Sequence, residues 1–188
     1  MCEEASKEAR ENYKEINLYF QDESRFGLFT KNGKALTAKG VKPICPFQQV
    51  FQSTYLFGAF SPINGKSFLL ELPYCNTDCF ELFLHEFSLI NPQELKVIVL
   101  YNGAFHKAKR LIVPKNIILI FLPPFSPELN PAEKMWAKFK RTFTNKLYKS
   151  LEEVSLFIQS ITQNLKDNET KNTCAFDYVF FNQYWTKY

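Results

Sequence analysis

The sequence has little glycine, no paired cysteine motif and no long apolar run, and each absence excludes a class of protein. Only 6 of its 188 residues are glycine, which argues against a loop-rich scaffold. Its 5 cysteines include no Cys-x-x-Cys pair, so neither a disulfide framework nor a zinc site is expected. No apolar stretch approaches the roughly 18 residues of a membrane-spanning helix, and no signal-peptide pattern opens the chain. We therefore expect a cytoplasmic protein with no membrane partner.

What the chain does have is a high aromatic and apolar content. Hydrophobic residues make up 46% of the sequence and aromatic residues 16%, with 20 phenylalanines. A chain of this length can bury one substantial core, and the composition indicates that phenylalanine fills it. The net charge is only +4, which permits a phosphate-binding surface without requiring one.

Positive charge is concentrated in two segments of the chain. One segment contains Lys134, Lys138, Lys140 and Arg141, and the other contains His106, Lys107, Lys109 and Arg110. Clustered cations are typical of surfaces that contact DNA phosphates, so both segments, together with the nearby Asn102, are candidates for a DNA path. The alternative is that they are the solvated faces of helices.

The order of predicted elements indicates an α/β domain with a mixed sheet. Apolar alternation and turn residues predict strands within residues 16–30, 51–62, 66–73, 96–102 and 116–124. Helical spacing predicts helices within residues 77–91, 105–111, 130–147 and 151–165. The hairpin signal Ile63-Asn64-Gly65 makes the first three strands antiparallel, and the connection through residues 105–111 makes the last two parallel. Helices should cover both faces of this five-stranded sheet.

Two acidic residues stand where elements begin or end. Asp22 lies near the end of the first strand, on the opposite face from Glu23. Glu133 lies in the first turn of a helix that opens with Asn130-Pro131. Carboxylates that converge from a strand and a helix suit Mg²⁺ or Mn²⁺. The alternatives are a strand-end turn residue at Asp22 and a capping box between Asn130 and Glu133.

A Pro-rich segment narrows these possibilities. Residues 122–136 read LPPFSPELNPAEKMW, and this segment closely resembles the signature of bacterial insertion-sequence transposases of the mariner-like DDE superfamily. The resemblance extends upstream through FQDESRFG at 20–27, KGVKP at 39–43, and Asn102 with His106-Lys107. It covers residues 16–165, leaving residues 1–15 as a helical or disordered lead and residues 166–188 as a C-terminal tail. Trp136 is expected to pack its helix onto the sheet.

The resemblance implies an RNase H-like catalytic domain that binds two divalent metal ions and cuts and joins DNA. The first acid of such a domain corresponds to Asp22 and the third to Glu133, and both are implied metal ligands. The second acid should precede Asn102, but this sequence has Tyr101 there. Tyrosine is neutral near pH 7 and cannot replace a carboxylate. Without the family pattern, Tyr101 would be an ordinary aromatic residue at a strand end.

These features predict a DDE-type transposase catalytic domain whose strand cleavage and transfer are impaired by Tyr101. The helix-turn-helix modules that read DNA ends in such transposases are not expected within this chain. A homodimer, or a separately encoded helix-turn-helix half, is therefore the expected protein partner beside DNA. The alternatives are a non-catalytic remnant that binds DNA or another subunit, and a structure-directed nuclease of the same fold.

Overall fold

The structure is a computed structural model that describes residues 12–31, 33, 36–42, 44, 46–124 and 126–176. Most of the predicted lead at 1–15 and the second half of the predicted tail at 166–188 lie outside these residues. The strands are β1 (Glu15–Gly27), β2 (Ser53–Phe60), β3 (Ser67–Leu72), β4 (Glu94–Leu100) and β5 (Ile117–Phe121). The helices are α1 (Thr77–Leu89), α2 (Ala132–Phe143), α3 (Leu151–Gln163) and α4 (Asp167–Cys174).

The five strands form one mixed sheet in the order β3-β2-β1-β4-β5. Strand β1 lies at the centre, antiparallel to β2 and parallel to β4. Phe20 pairs with Phe60 on one side and with Val99 on the other. Strands β1 and β4 run in the same direction, and β4 ends beside the middle of β1, one residue after the pair between Phe20 and Val99, while β1 continues to Gly27. Asp22 was predicted near the end of its strand, but it lies within β1, next to the point where β4 stops. The predicted combination of three antiparallel and two parallel strands is confirmed.

Helices cover both faces of the sheet, as predicted. Helix α1 packs Phe80, Phe83 and Phe87 against Tyr19 and Ile98 on one face. Helices α2 and α3 cover the other face around the first two strands. Their shared core contains Phe26, Phe60, Trp136, Phe139, Val154 and Ile158, and Cys174 of α4 is buried in the same cluster. The predicted tail therefore begins with a helix that adds to this core. Among the described helices, none is long and apolar enough to cross a membrane.

Two local predictions differ from the structure. The cap of α1 is Asn76, whose side-chain oxygen accepts a hydrogen bond from the Cys79 backbone N–H at 2.9 Å, and not Thr77 or Asp78. The helical spacing predicts Thr77 or Asp78 as the cap, but asparagine caps helices as well as either of them and here lies one residue earlier. The helix predicted at 105–111 is a 3₁₀ turn over Ala104–Lys107. It stops there because Ala108 leaves the helical conformation, with ψ at 129°, and a separate turn follows in which the Leu111 N–H donates to the Ala108 carbonyl oxygen at 2.9 Å.

Candidate active site and nucleic-acid interface

Asn130 fixes the start of α2 against β1. Its side-chain amide donates a hydrogen bond to the Gln21 carbonyl oxygen at 3.0 Å, and its side-chain oxygen accepts one from the Ala132 N–H at 3.1 Å. The backbone N–H of Asn130 donates to the Pro127 carbonyl oxygen, so it is not left for the Glu133 side chain to cap. Glu133 therefore extends from the first turn of α2 toward the end of β4, where the Tyr101 hydroxyl lies 3.3 Å from its Oε1 atom.

Asp22 is held on the sheet by α2. It pairs with Gly58 of β2, and the indole N–H of Trp136 donates a hydrogen bond to Asp22 Oδ2 at 2.9 Å. A Cβ atom at Gly58 would lie 2.7 Å from the Trp136 ring, so only glycine leaves room for the indole. Trp136 is buried against Phe60 and Phe139, which confirms its predicted packing role. The hydrogen bond to Asp22 adds a positioning role that the spacing did not indicate.

Asp22 lies in surroundings that disfavour its negative charge. Burial, followed by the nearby charges of Glu23 and Glu133, raises the pKa of Asp22 from 3.8 to about 8. The hydrogen bond from Trp136 lowers the pKa but does not offset these effects. Because burial and neighbouring acids disfavour its negative charge, this carboxyl group would be stabilised in its charged form by a bound cation.

Tyr101 follows the last residue of β4 and lies beside these acids. Its hydroxyl is 3.3 Å from Glu133 Oε1 and 3.1 Å from the Pro127 carbonyl oxygen, and both atoms accept hydrogen bonds. Burial, followed by the charges of Glu133 and Asp22, raises the pKa of the Tyr101 phenol above its usual value. The phenol is therefore neutral at physiological pH, and its ring occupies the space between β4 and α2.

Glu23 and His106 form a buried pair on the opposite face of β1 from Asp22. His106 Nε2 lies 2.9 Å from Glu23 Oε1, and His106 Nδ1 lies 2.9 Å from the Tyr101 carbonyl oxygen. A carbonyl oxygen only accepts hydrogen bonds, so Nδ1 carries a hydrogen. This pair joins β1 to Tyr101, the residue after β4. From the sequence, the ordinary interpretation of Glu23 is a solvated neighbour of Asp22 on the other face of the strand, and only its place beside Asp22 in the motif could have indicated a role.

The residues as they stand do not fit a site for two divalent metal ions. Asp22 and Glu133 supply two carboxylates, and the third position is filled by the neutral Tyr101 hydroxyl. Within the part of the chain that the structure describes, no group of three or more His, Cys, Asp or Glu side chains is arranged to hold a metal ion. We therefore derive no reaction step through a metal ion.

Most of the cations predicted to contact DNA lie on the surface. Exposed members of the predicted set are Asn102, Lys107, Lys109, Arg110, Lys134 and Arg141. Arg110 pairs with Asp78 at 2.7 Å, and Lys138 pairs with Glu169 of α4. Lys140 is half-buried and donates a hydrogen bond to the Arg25 carbonyl oxygen. His106 differs from the rest because it is buried, and its ring is used by Glu23 and Tyr101.

Comparison with known proteins identifies the family. A family model described as DDE superfamily endonuclease matches residues 17–155. The uncharacterized protein y4pE/y4sA of Sinorhizobium fredii (strain NBRC 101917 / NGR234) is 37% identical over 102 residues, which cover 53% of this chain and 76% of that protein.

Solved structures of the Mos1 transposase share the fold. The Mos1 strand transfer complex has a TM-score of 0.63 at 15% identity and covers 92% of this chain and 55% of the Mos1 chain. The Mos1 mariner paired end complex with Mn has a TM-score of 0.64 at 14% identity, covering 84% of this chain and 51% of that chain. This chain thus spans about half the length of the Mos1 chains. The fold is RNase H-like, and the transposase resemblance of the Pro-rich motif is confirmed. The chain belongs to the DDE superfamily endonuclease family.

Proposed function

We propose that this domain binds DNA as a DDE-type transposase catalytic domain, and that Tyr101 has removed most of its capacity to cleave and join strands. The observation that carries this proposal is the contact between the Tyr101 hydroxyl and Glu133 Oε1 at 3.3 Å. A neutral side chain thus occupies the place beside Glu133 and Asp22 where the family motif has an acid.

The proposed loss follows from the charge that phosphoryl transfer needs. In enzymes that use two divalent ions, carboxylates bind both ions and offset their charge. With Tyr101 in place, the site keeps two carboxylates, Asp22 and Glu133. The Mos1 structures that resemble this domain include paired end complexes with Mn and with Mg. We therefore propose Mg²⁺ or Mn²⁺ as the ion that a restored site would use.

DNA binding is proposed on the basis of the surface cations near the site. Lys134 and Arg141 lie on α2, and Lys107 and Lys109 lie on the segment that follows β4. These cations should contact phosphates, so binding should be independent of sequence and should weaken as salt concentration rises. Arg110 and Lys138 should contribute less because Asp78 and Glu169 already pair with them.

A nicking assay on supercoiled plasmid tests the catalytic part of the proposal. We expect the natural protein to give little nicking with Mg²⁺ or Mn²⁺, and the Tyr101→Asp variant to give metal-dependent nicking. Tyr101→Asn is the matched control because it has the size of aspartate without its charge. In the Tyr101→Asp background, Asp22→Asn and Glu133→Gln should each abolish the recovered activity, because residues that act as a unit are not additive.

Two results would contradict the proposal. Robust nicking by the natural protein that is lost in Asp22→Asn would show that Tyr101 does not disable the site. Equal activity in Tyr101→Asp and Tyr101→Asn would show that the missing charge is not the cause.

A second candidate function is a non-catalytic module that binds DNA or another subunit. It is favoured by the hydrogen-bonding distances from the Tyr101 hydroxyl to both Pro127 and Glu133. Through these contacts Tyr101 links the end of β4 to the start of α2, which is a structural role and not a catalytic one. The partner proposed for this role is a second copy of the chain or a separate helix-turn-helix protein. Light scattering of the purified protein, with and without DNA, distinguishes a monomer from a dimer.

A further inference from the structure

A positively charged cavity with aromatic walls lies beyond the candidate active site. Its volume is about 200 Å³, and its lining includes Arg25, Phe29, Lys31, Phe51, Lys140 and Phe143. Arg25 comes three residues after Asp22 along β1, which is about 10 Å in a strand. Lys140 comes seven residues after Glu133 along α2, again about 10 Å. The cavity therefore lies along the same strand and helix that carry the two acids.

Three cations meet in this cavity without an acidic partner. Lys140 Nζ lies 4.0 Å from the centre of the Phe26 ring, and its amine donates a hydrogen bond to the Arg25 carbonyl oxygen. Burial, followed by the charges of Lys31 and Arg25, lowers the pKa of Lys140 to about 8. Across the described residues, no ion pair with a carboxylate involves Arg25, Lys31 or Lys140. An anion in the cavity would relieve this repulsion.

Aromatic side chains beside the cations are stacked and open to solvent. The Phe29 and Phe51 rings are 5.3 Å apart and 29° from parallel, and the Phe47 ring meets Phe29 edge-on. Phe51 is 71% exposed and Phe29 is 37% exposed. The outer faces of these rings remain in water and therefore stabilise the fold little. They offer a flat surface on which a nucleobase can stack.

Backbone hydrogen bonds hold the walls of the cavity in place. The Leu28 N–H donates to the Gln52 carbonyl oxygen at 2.9 Å, and the Thr30 N–H donates to that of Gln48 at 3.1 Å. The Asn145 N–H donates to the Lys31 carbonyl oxygen at 3.2 Å. The segment that carries Phe29 and Lys31 is thereby tied both to the approach to β2 and to the end of α2. Little ordering would be needed when a ligand binds.

We propose that this cavity binds an unpaired nucleotide of a DNA end, with its base on the open face of the Phe51 ring and its phosphate near Lys140, Lys31 and Arg25. Inside a duplex both faces of each base are covered by neighbouring bases. A terminal base pair exposes one face, but only as part of a rigid pair, so an unpaired base is the form that can enter the cavity and stack on Phe51. Combined cations and aromatic faces are the chemistry that recognises single-stranded nucleic acid. The inference rests on the proposed DNA-binding function and specifies which form of DNA the domain prefers.

Fluorescence anisotropy with matched probes tests this inference. One probe is a blunt duplex, and the second is the same duplex with a short single-stranded overhang. Stacking of one base contributes roughly 1–3 kcal/mol, so the natural protein should bind the overhang probe about tenfold more tightly. Phe51→Ala should remove that advantage and leave the affinity for the blunt duplex unchanged. Leu156→Ala is the matched control, because it also shortens an exposed apolar side chain but lies on α3.

The outcomes separate this inference from the function on which it rests. Equal affinity of the natural protein for both probes would overturn the cavity inference and leave duplex binding intact. An overhang of abasic nucleotides that kept the full advantage would also overturn it, because no base would be stacked. Absence of binding to either probe at low salt would refute the DNA-binding proposal itself.

Discussion

The contact between Tyr101 and Glu133 makes a prediction about stability that does not depend on any DNA assay. Replacing Tyr101 with aspartate should destabilise the domain in the absence of metal, and divalent ions should reverse that loss. The reason is that the new carboxylate would lie beside Glu133 and Asp22. Burial and neighbouring acids already raise the pKa of Asp22 to about 8. Near pH 7 a carboxyl group with this pKa is largely protonated, so the new negative charge is added chiefly beside Glu133, with no cation to offset it.

The size of the effect follows from two contributions. Loss of the hydrogen bond from the Tyr101 hydroxyl costs about 1 kcal/mol. Repulsion between two charges about 4–6 Å apart costs roughly 3–4 kcal/mol at an effective dielectric constant of about 20, before protonation or side-chain movement relieves part of it. We expect a net loss of about 2–4 kcal/mol, which corresponds to a decrease of roughly 5–15 °C in Tm for a domain of this size.

Thermal unfolding in chelator and in excess Mn²⁺ measures both parts of this prediction. A ligand present at about 100 times its Kd stabilises the folded state by about 2.7 kcal/mol, so Mn²⁺ should recover most of the lost stability. Tyr101→Asn is the matched control, since it loses the same hydroxyl but adds no charge. It should show the smaller loss of about 1 kcal/mol and little response to the ion.

Two results would refute the reasoning. If Tyr101→Asp and Tyr101→Asn were equally stable in chelator, residue 101 would not lie close enough to the two acids to interact with them. If Mn²⁺ stabilised the natural protein as strongly as Tyr101→Asp, the tyrosine would not be the feature that weakens ion binding.

Three further predictions concern the surroundings of the site. Gly58→Ala should lower the unfolding free energy by about 1–3 kcal/mol in denaturant titration, because its methyl group would displace the Trp136 ring. His106→Ala should cost about 1–3 kcal/mol in the same titration, because it removes the ring's hydrogen bonds to the Glu23 carboxylate and the Tyr101 carbonyl oxygen, while the Gln21 side chain still donates to Glu23. Lys140→Met should stabilise the domain by about 2–3 kcal/mol at or below pH 8, measured by unfolding across pH. That gain should vanish toward pH 10.5, because the folded protein releases the Lys140 proton from about pH 8 whereas the unfolded chain keeps it until about 10.5.

Sequence periodicity predicted much of the fold because it depends on local geometry. The alternation along β1 placed Asp22 and Glu23 on opposite faces, and the structure agrees, with Asp22 facing α2 and Glu23 facing His106. The hairpin signal at residues 63–65 and the connection through residues 105–111 predicted a mixed sheet, and the observed strand pairing confirms it. The Pro-rich motif indicated the family from the sequence alone, because four prolines at fixed positions constrain a short stretch of chain.

The contacts that define the site were decided only by the tertiary structure. Trp136 and Asp22 are 114 residues apart, and His106 and Glu23 are 83 apart. No periodic pattern links residues at such separations, because their contact depends on strand register and on the angle at which a helix docks. The same is true of the cavity, where Arg25 of β1 meets Lys140 of α2. The sequence by itself determined which face of β1 each acid lies on and that residue 101 is a tyrosine. Packing of α2 against β1 determined that this tyrosine reaches Glu133, because that docking brings the start of the helix to the end of β4, beside Asp22.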